Sequence, residues 1–329
     1  MREQVLIAHR GASGDRPEHT LEAYELAARA GADFLEPDLV ATADGHLVAR
    51  HENEISGTTD VADHSELADR RTTKVIDGQQ VTGWFTEDLT LAELRTLRCR
   101  ERLPGLRAGN TAYDGQFLVP TLSEVLALRE RLAAELARPL GIYPETKHPS
   151  YFRSVGLPLE EPLVAELEGS GLNDPDAPVF VQSFELGNLV ALRRDHGARV
   201  PLVFLADVAG APPDLVAAGD PRTCADLLRP AGLADLARWV EAVGPHKDLV
   251  ISRTADGGLG QPTSLVADAH AVGLQVHPWT FRQENQFLPA DLRGPDGTGD
   301  VVAEIRAHLA VGVDGFFTDH TDLGVQALG

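Results

Sequence analysis

The chain has 329 residues, 43% of them hydrophobic and 24% charged, which are ordinary values for a folded protein and exclude a disordered one. Fifty acidic residues against 29 basic ones leave a net charge of −21. Nucleic acid and anionic membrane surfaces are therefore not expected partners, and an anionic ligand has to be met by a metal or a few placed cations.

Two cysteines, Cys99 and Cys224, make no disulfide framework and read as packed thiols. No apolar run is long enough to cross a bilayer, so no integral membrane segment is expected. The first apolar run, Val5-Leu6-Ile7-Ala8, is too short for the core of a secretory leader. That leaves either a cytoplasmic protein or a periplasmic or secreted one whose leader has been removed. Oligomeric state has no signature here.

From the N-terminus, short apolar runs alternate with longer helical patterns. The spacing predicts a strand over 5–10 and a helix over 20–29, then a strand over 34–41 whose helix, 122–137, follows after a delay. Further strands are predicted over 142–147, 179–184, 202–206, 249–253, 274–279 and 315–319. The helical patterns between and after them cover 161–168, 185–195, 215–243 in broken pieces, 264–272, 301–310 and 322–328. Gly31, Gly197, Gly273 and Gly312 follow helical turns, as left-handed C-caps do. Eight strands each followed by a helix predict an α/β fold, a closed (β/α)₈ or TIM barrel, as one domain over 1–329.

One region breaks the rhythm. Between His51 and Leu122 the chain is polar, with turn signals at Asp77-Gly78 and Asp114-Gly115 and a short helical pattern over 89–97. A structureless loop of that length is out of place in a compact domain. Residues 52–117 are therefore read as a small inserted subdomain over the barrel mouth.

Active residues of such barrels sit at the C-terminal ends of strands. The first strand ends in His9-Arg10-Gly11, and the second carries Glu36-Pro37-Asp38. Leu47-Val48-Ala49-Arg50 ends in His51, and the third strand ends in Glu145-Thr146-Lys147. Residues two apart in a strand share a face, so Glu36 and Asp38 repel unless a cation sits between them. With Glu145 on the adjacent strand they form an oxygen-rich site for one hard divalent cation, Mg²⁺ or Ca²⁺. His9 and His51 flank that site, where two near-neutral imidazoles serve as an acid–base pair. Arg10 and Lys147 are local positive charge for a phosphate. Phe184 and Trp279, at strand ends, are candidates to line the substrate pocket. The other histidines, His19, His308 and His320 among them, are taken as surface or capping residues, and His277 as a weaker site candidate. No P-loop, nucleophile elbow, dinucleotide fingerprint or zinc spacing is present.

These residues, together with Pro17-Glu18-His19-Thr20-Leu21-Glu22-Ala23, Gln182-Ser183-Phe184, His277-Pro278-Trp279-Thr280 and Phe317-Thr318-Asp319, resemble the glycerophosphodiester phosphodiesterase family along essentially the whole chain. The stretch from His51 to Ser56 looks like the longer periplasmic or secreted bacterial subgroup. Many relatives carry Asp after the second histidine where this chain has Glu52. The resemblance implies a TIM barrel with an insertion after the second strand and His9 and His51 as the acid–base pair. It also implies Glu36, Asp38 and Glu145 as metal ligands, Arg10 and Lys147 as phosphate contacts, and Phe184 and Trp279 near the glycerol or leaving group.

The implied reaction is metal-dependent hydrolysis of a small-molecule glycerophosphodiester to sn-glycerol 3-phosphate and an alcohol, by water or through a cyclic phosphate. Two alternatives share the residue set. One is the same chemistry on a lysophospholipid or a glycerol-phosphate polymer such as teichoic acid. The other is a non-enzymatic barrel that binds phosphorylated glycerol.

Overall fold

The computed structural model describes residues 3–329. Its strands begin with β1 (Val5–His9), β2 (Phe34–Glu36), β3 (Asp38–Ala41) and β4 (Leu47–Ala49). The hairpin β5 (Thr72–Ile76) and β6 (Gln79–Gly83) comes next, then β7 (Gly141–Ile142), β8 (Glu145–Thr146), β9 (Val181–Ser183), β10 (Leu202–Ala206) and β11 (Ala242–Pro245). A second hairpin, β12 (Ile251–Arg253) and β13 (Leu259–Pro262), precedes β14 (Gln275–Val276) and β15 (Gly315–Thr318).

Parallel pairing runs in one direction from β15 through β1 and β2 to β7, and in the other from β3 through β8, β9, β10 and β11 to β14. Two positions of the barrel are each split in two. Pro37 interrupts β2 and β3, and Pro144 interrupts β7 and β8, because proline has no amide hydrogen for the ladder. Both proline carbonyls still accept, from the Glu145 and Gln182 amides at 2.9 Å. The ring closes where Phe281 bridges Thr318 and the Phe281 amide donates to Phe317 at 2.8 Å. The fold is a closed eight-position TIM barrel, as the sequence predicted.

Side chains alternate along each strand, and this sends the functional residues inward. Val5 and Ile7 of β1 pack in a barrel-interior cluster with Phe34, Tyr143, Val203 and Phe317, whereas Leu6 and Ala8 face the helices. His9 continues the inward row one step above Ile7. Likewise Glu36 follows Phe34, and Glu145 follows Tyr143. Register then sets neighbours: His9 pairs with Glu36, and Asp38 with Glu145.

Helix ends follow local chemistry. Thr20 accepts from the Ala23 amide and Gly31 closes the helix Leu21–Ala30 at φ 112°. Thr121 and Glu124 form a capping box on Leu122–Glu135. Residues 52–117 hold the β5–β6 hairpin, turned by Asp77 and Gly78 at φ 48° and 79°, and short helical turns. Their buried Ile55, Leu67, Leu94 and Cys99 belong to the main hydrophobic cluster. Both cysteines are free and buried.

The sixth barrel strand departs from expectation. It is β11, whose first two residues end the stretch read as helical over 215–243, whereas residues 251–253 of the predicted strand over 249–253 form β12 of an antiparallel hairpin outside the barrel. Gly244 and Pro245 weaken the strand signal of β11. Packing explains Gly244, since a Cβ there would lie 2.5 Å from the Leu205 side chain.

Just past β11, Lys247 is buried and donates to Glu304 at 2.9 Å and to the Phe287 carbonyl at 2.9 Å. Glu304 is fully buried, with Arg253 as its second cation at 3.3 Å. Removing Lys247 strands most of a buried carboxylate charge. Lys247→Met is expected to cost about 3–5 kcal/mol of unfolding free energy, measured by urea titration. A change under about 1 kcal/mol would show that solvent reaches this pair.

Candidate active site

The turn after β1 builds the first part of the site. Arg10 and Gly11 both adopt left-handed backbone, at φ 59° and 83°. Gly11 is required there twice over, because a Cβ would also come within 2.7 Å of the Ala23 backbone. The turn aims the Arg10 amide at Glu36 Oε2, 2.8 Å away. The Arg10 guanidinium donates to Glu18 at 2.9 Å and lies 3.3 Å from Asp38.

Glu36, Asp38 and Glu145 are buried, and each offers a carboxylate oxygen within 4.8 Å of the others. Burial, with Asp38 and Glu145 beside it, pushes the Glu36 carboxyl well above its usual range. Burial likewise pushes Glu145 up to about 8, with Lys147 opposing. Burial also works against charge on Asp38, yet Lys147, His19 and His51 hold its carboxyl well below the usual range. Asp38 Oδ1 is buried with no hydrogen-bond partner. Three converging carboxylates with an orphaned oxygen fit a hard divalent cation, which would relieve both the repulsion and the missing contact.

His9 and His51 line the same cavity, of about 300 Å³, with Arg10, Glu36, Glu145 and Lys147. His9 Nδ1 lies 2.6 Å from Asp319 Oδ1, and His51 Nδ1 lies 2.5 Å from Glu52 Oε1. Arg107 and Arg282 help hold Asp319 well below the carboxylate range against its burial. An ionised carboxylate only accepts, so each Nδ1 donates and Nε2 is left for the cavity. Burial and the Arg10 charge push His9 down to about 4 despite Asp319. Burial, Arg10 and Lys147 push His51 down to about 3.

Lys147 Nζ is 2.7 Å from Glu145 Oε1 and 5.5 Å from the centre of the Phe184 ring. Phe184 and Trp279 meet edge to face at 5.6 Å and form an apolar wall of the cavity. All nine residues singled out from the sequence are thus brought to one end of the barrel, eight lining the cavity and Asp38 directly behind it.

Three histidines taken as surface or capping residues are buried. His19 is fully buried, its Nε2 2.8 Å from Asp38 Oδ2 and its Nδ1 2.7 Å from the Tyr24 hydroxyl. His308 bonds the Glu304 and Lys247 carbonyls, and His320 lies 3.4 Å from Glu284. His277 is inside the barrel, bonded to the Tyr143 hydroxyl at 2.8 Å, and does not line the cavity. Residues not singled out for the site also matter. Gln182 donates to Glu36 Oε1 at 3.0 Å, Glu18 accepts from two arginines, and Arg102 and Arg107 reach in from the 52–117 segment. Gln182 and Glu18 had a signal in the motifs already quoted, and the two arginines had none.

A profile of the Glycerophosphoryl diester phosphodiesterase family matches residues 9–323. The chain is 36% identical over 328 residues to a glycerophosphodiester phosphodiesterase of Arabidopsis thaliana, covering 96% of this chain and 83% of that one. It is 27% identical over 350 residues to a glycerophosphodiester phosphodiesterase of Haemophilus influenzae, covering 99% and 90%. Among solved structures it is similar to a glycerophosphodiester phosphodiesterase of Agrobacterium tumefaciens, at TM-score 0.60 and 18% identity over 97% of this chain and 98% of that one. It is also similar to an Oleispira antarctica phosphodiesterase in complex with the product sn-glycerol-3-phosphate, at TM-score 0.62 and 19% identity over 98% and 96%. At those identities the two structures speak to the fold.

Proposed function

The chain belongs to the Glycerophosphoryl diester phosphodiesterase family and is a phosphodiesterase, and we propose that it hydrolyses small glycerophosphodiesters to sn-glycerol 3-phosphate and an alcohol by His9/His51 acid–base catalysis. The observation that carries this reading is the joint lining of one cavity by both histidines, two cations, and Glu36 and Glu145 of the acidic cluster.

A divalent cation, Ca²⁺ or Mg²⁺, held by Glu36, Asp38 and Glu145 would neutralise charge on the phosphate. Arg10 and Lys147 do the same from the protein side, where low dielectric strengthens their pull. One histidine removes a proton from the nucleophile at Nε2. The other returns one to the departing alkoxide, so the alcohol leaves neutral. A phosphate anion beside the two imidazoles opposes the lowering of their pKa values by burial and Arg10 and favours the protonated form. We assign the first nucleophile to the substrate's own neighbouring hydroxyl, which closes a cyclic phosphate that water then opens. Phe184 and Trp279 wall the glycerol or leaving group. The 52–117 segment acts as a cap that shapes the mouth. The His51–Ser56 stretch supports placement in the longer periplasmic or secreted subgroup.

The test is a panel of glycerophosphocholine, lysophosphatidylcholine and teichoic acid, each with chelator and then with added Ca²⁺ or Mg²⁺. Glycerol 3-phosphate should be released from glycerophosphocholine only with metal. Faster cleavage of the lipid, read as lysophosphatidate and choline, or of the polymer would move the substrate class. Binding of glycerol 3-phosphate with no turnover of any diester would overturn catalysis.

A further inference from the structure

The bend from Arg100 to Arg107 in the 52–117 segment sends two arginines in different directions. Arg102 grips Glu52 with Nη1 at 3.1 Å and Nη2 at 2.6 Å, and Glu52 is the carboxylate behind His51. The same guanidinium holds Glu18 at 2.7 and 2.6 Å, and Glu18 accepts from Arg10. Arg107 donates to Asp319 Oδ2 at 2.5 Å, and Asp319 Oδ1 faces His9. It also donates to Glu284 at 2.5 Å and to the Ser13 carbonyl at 2.9 Å.

The bend itself is braced. The Arg107 amide donates to the Leu103 carbonyl at 2.8 Å, the Leu103 amide to Glu101 at 2.7 Å, and Asn110 to Glu101 at 2.8 Å. Two arginines on one braced bend thus back the carboxylates of both cavity histidines.

We propose that Arg102 and Arg107 are positioning residues, each fixing the carboxylate that orients one histidine, so that one bend of the inserted segment assembles both halves of the acid–base pair. This rests on the roles proposed above for His9 and His51. The physical reason is orientation: a carboxylate pinned by a guanidinium, forked by Arg102 on Glu52 and singly bonded by Arg107 on Asp319, accepts from Nδ1 in one geometry and keeps Nε2 on the cavity side. Without Arg102 the Glu52 carboxylate can rotate away and His51 loses its fixed tautomer, whereas without Arg107 the Asp319 carboxylate keeps Arg282 Nε at 2.8 Å and is loosened rather than freed.

The experiment compares Arg102→Ala, Arg107→Ala and the two lysine variants on glycerophosphocholine and on a nitrophenyl glycerophosphodiester. Each is measured alone and with the paired histidine replaced by alanine. Arg102→Ala should lose about 10–100-fold in kcat with KM little changed, and Arg107→Ala should fall toward the lower end of that range because Arg282 still holds Asp319. Each should share the nitrophenyl-to-choline activity ratio of its own histidine variant, so the two ratios should differ. With the paired histidine already alanine, the added loss should shrink to under about twofold. Arg107→Lys should regain activity better than Arg102→Lys, because one ammonium cannot fork both Glu18 and Glu52. Thermal melts identify any variant that does not fold, and the lysine variant then carries that arm. The same ratio in both arginine variants, or an undiminished loss in the histidine-free background, overturns the proposal. Wild-type activity of His9→Ala and His51→Ala would overturn the acid–base reading itself, and this inference with it.

Discussion

His9→Ala and His51→Ala should each lower turnover of an alkyl glycerophosphodiester by about 10²–10⁴-fold. Neither imidazole belongs to the acidic cluster, so cation binding by calorimetry should stay close to wild type. The double variant should lose little more than the worse single one, because removing either half stalls the same proton-transfer sequence. A nitrophenyl leaving group departs without a proton. Activity on it should survive loss of the acid histidine and fail with loss of the base, which assigns the two roles. Equal, severe losses on both substrates for both variants would rule out separate acid and base duties.

Asp38→Asn should abolish the response to metal. Asp38 combines a buried Oδ1 without a partner and an Oδ2 already held by His19 and Arg10, so it is the carboxylate with an oxygen to give. Loss of a cation worth several kcal/mol of charge stabilisation implies a fall in turnover of about a thousandfold or more. A readout without turnover comes from melting. Metal at about a hundred times its Kd should stabilise the wild-type protein by about 2.7 kcal/mol, and chelator should remove the gain. In Asp38→Asn the melting temperature should not respond to either. A variant that still rises with Ca²⁺ or Mg²⁺ would place the ion elsewhere.

What could be read from the chain alone is what short-range geometry decides. Period-two alternation aims His9, Glu36 and Glu145 into the barrel from strands that can be located by their own apolar runs. The turn at Asp77-Gly78 and the left-handed glycines depend on a few neighbouring residues: Gly31, Gly197, Gly273 and Gly312 all have positive φ, and Gly31 and Gly312 cap their helices directly. Long-range pairing decided the rest. Both Ala242–Pro245 and Ile251–Arg253 are strands, and only the hydrogen bonds of Val203 with Ala242 and its neighbours put the first in the barrel. His19 follows a turn like many exposed histidines, but the left-handed backbone at φ 53° folds it against Asp38. Arg102 and Arg107 sit in a polar stretch that reads as solvent-facing. Their carboxylate partners lie 50 and 84 residues away for the first and 177 and 212 for the second. An ion pair carries no periodicity and no local spacing, so such partners become visible only when the closed barrel brings strand ends and the 52–117 segment together.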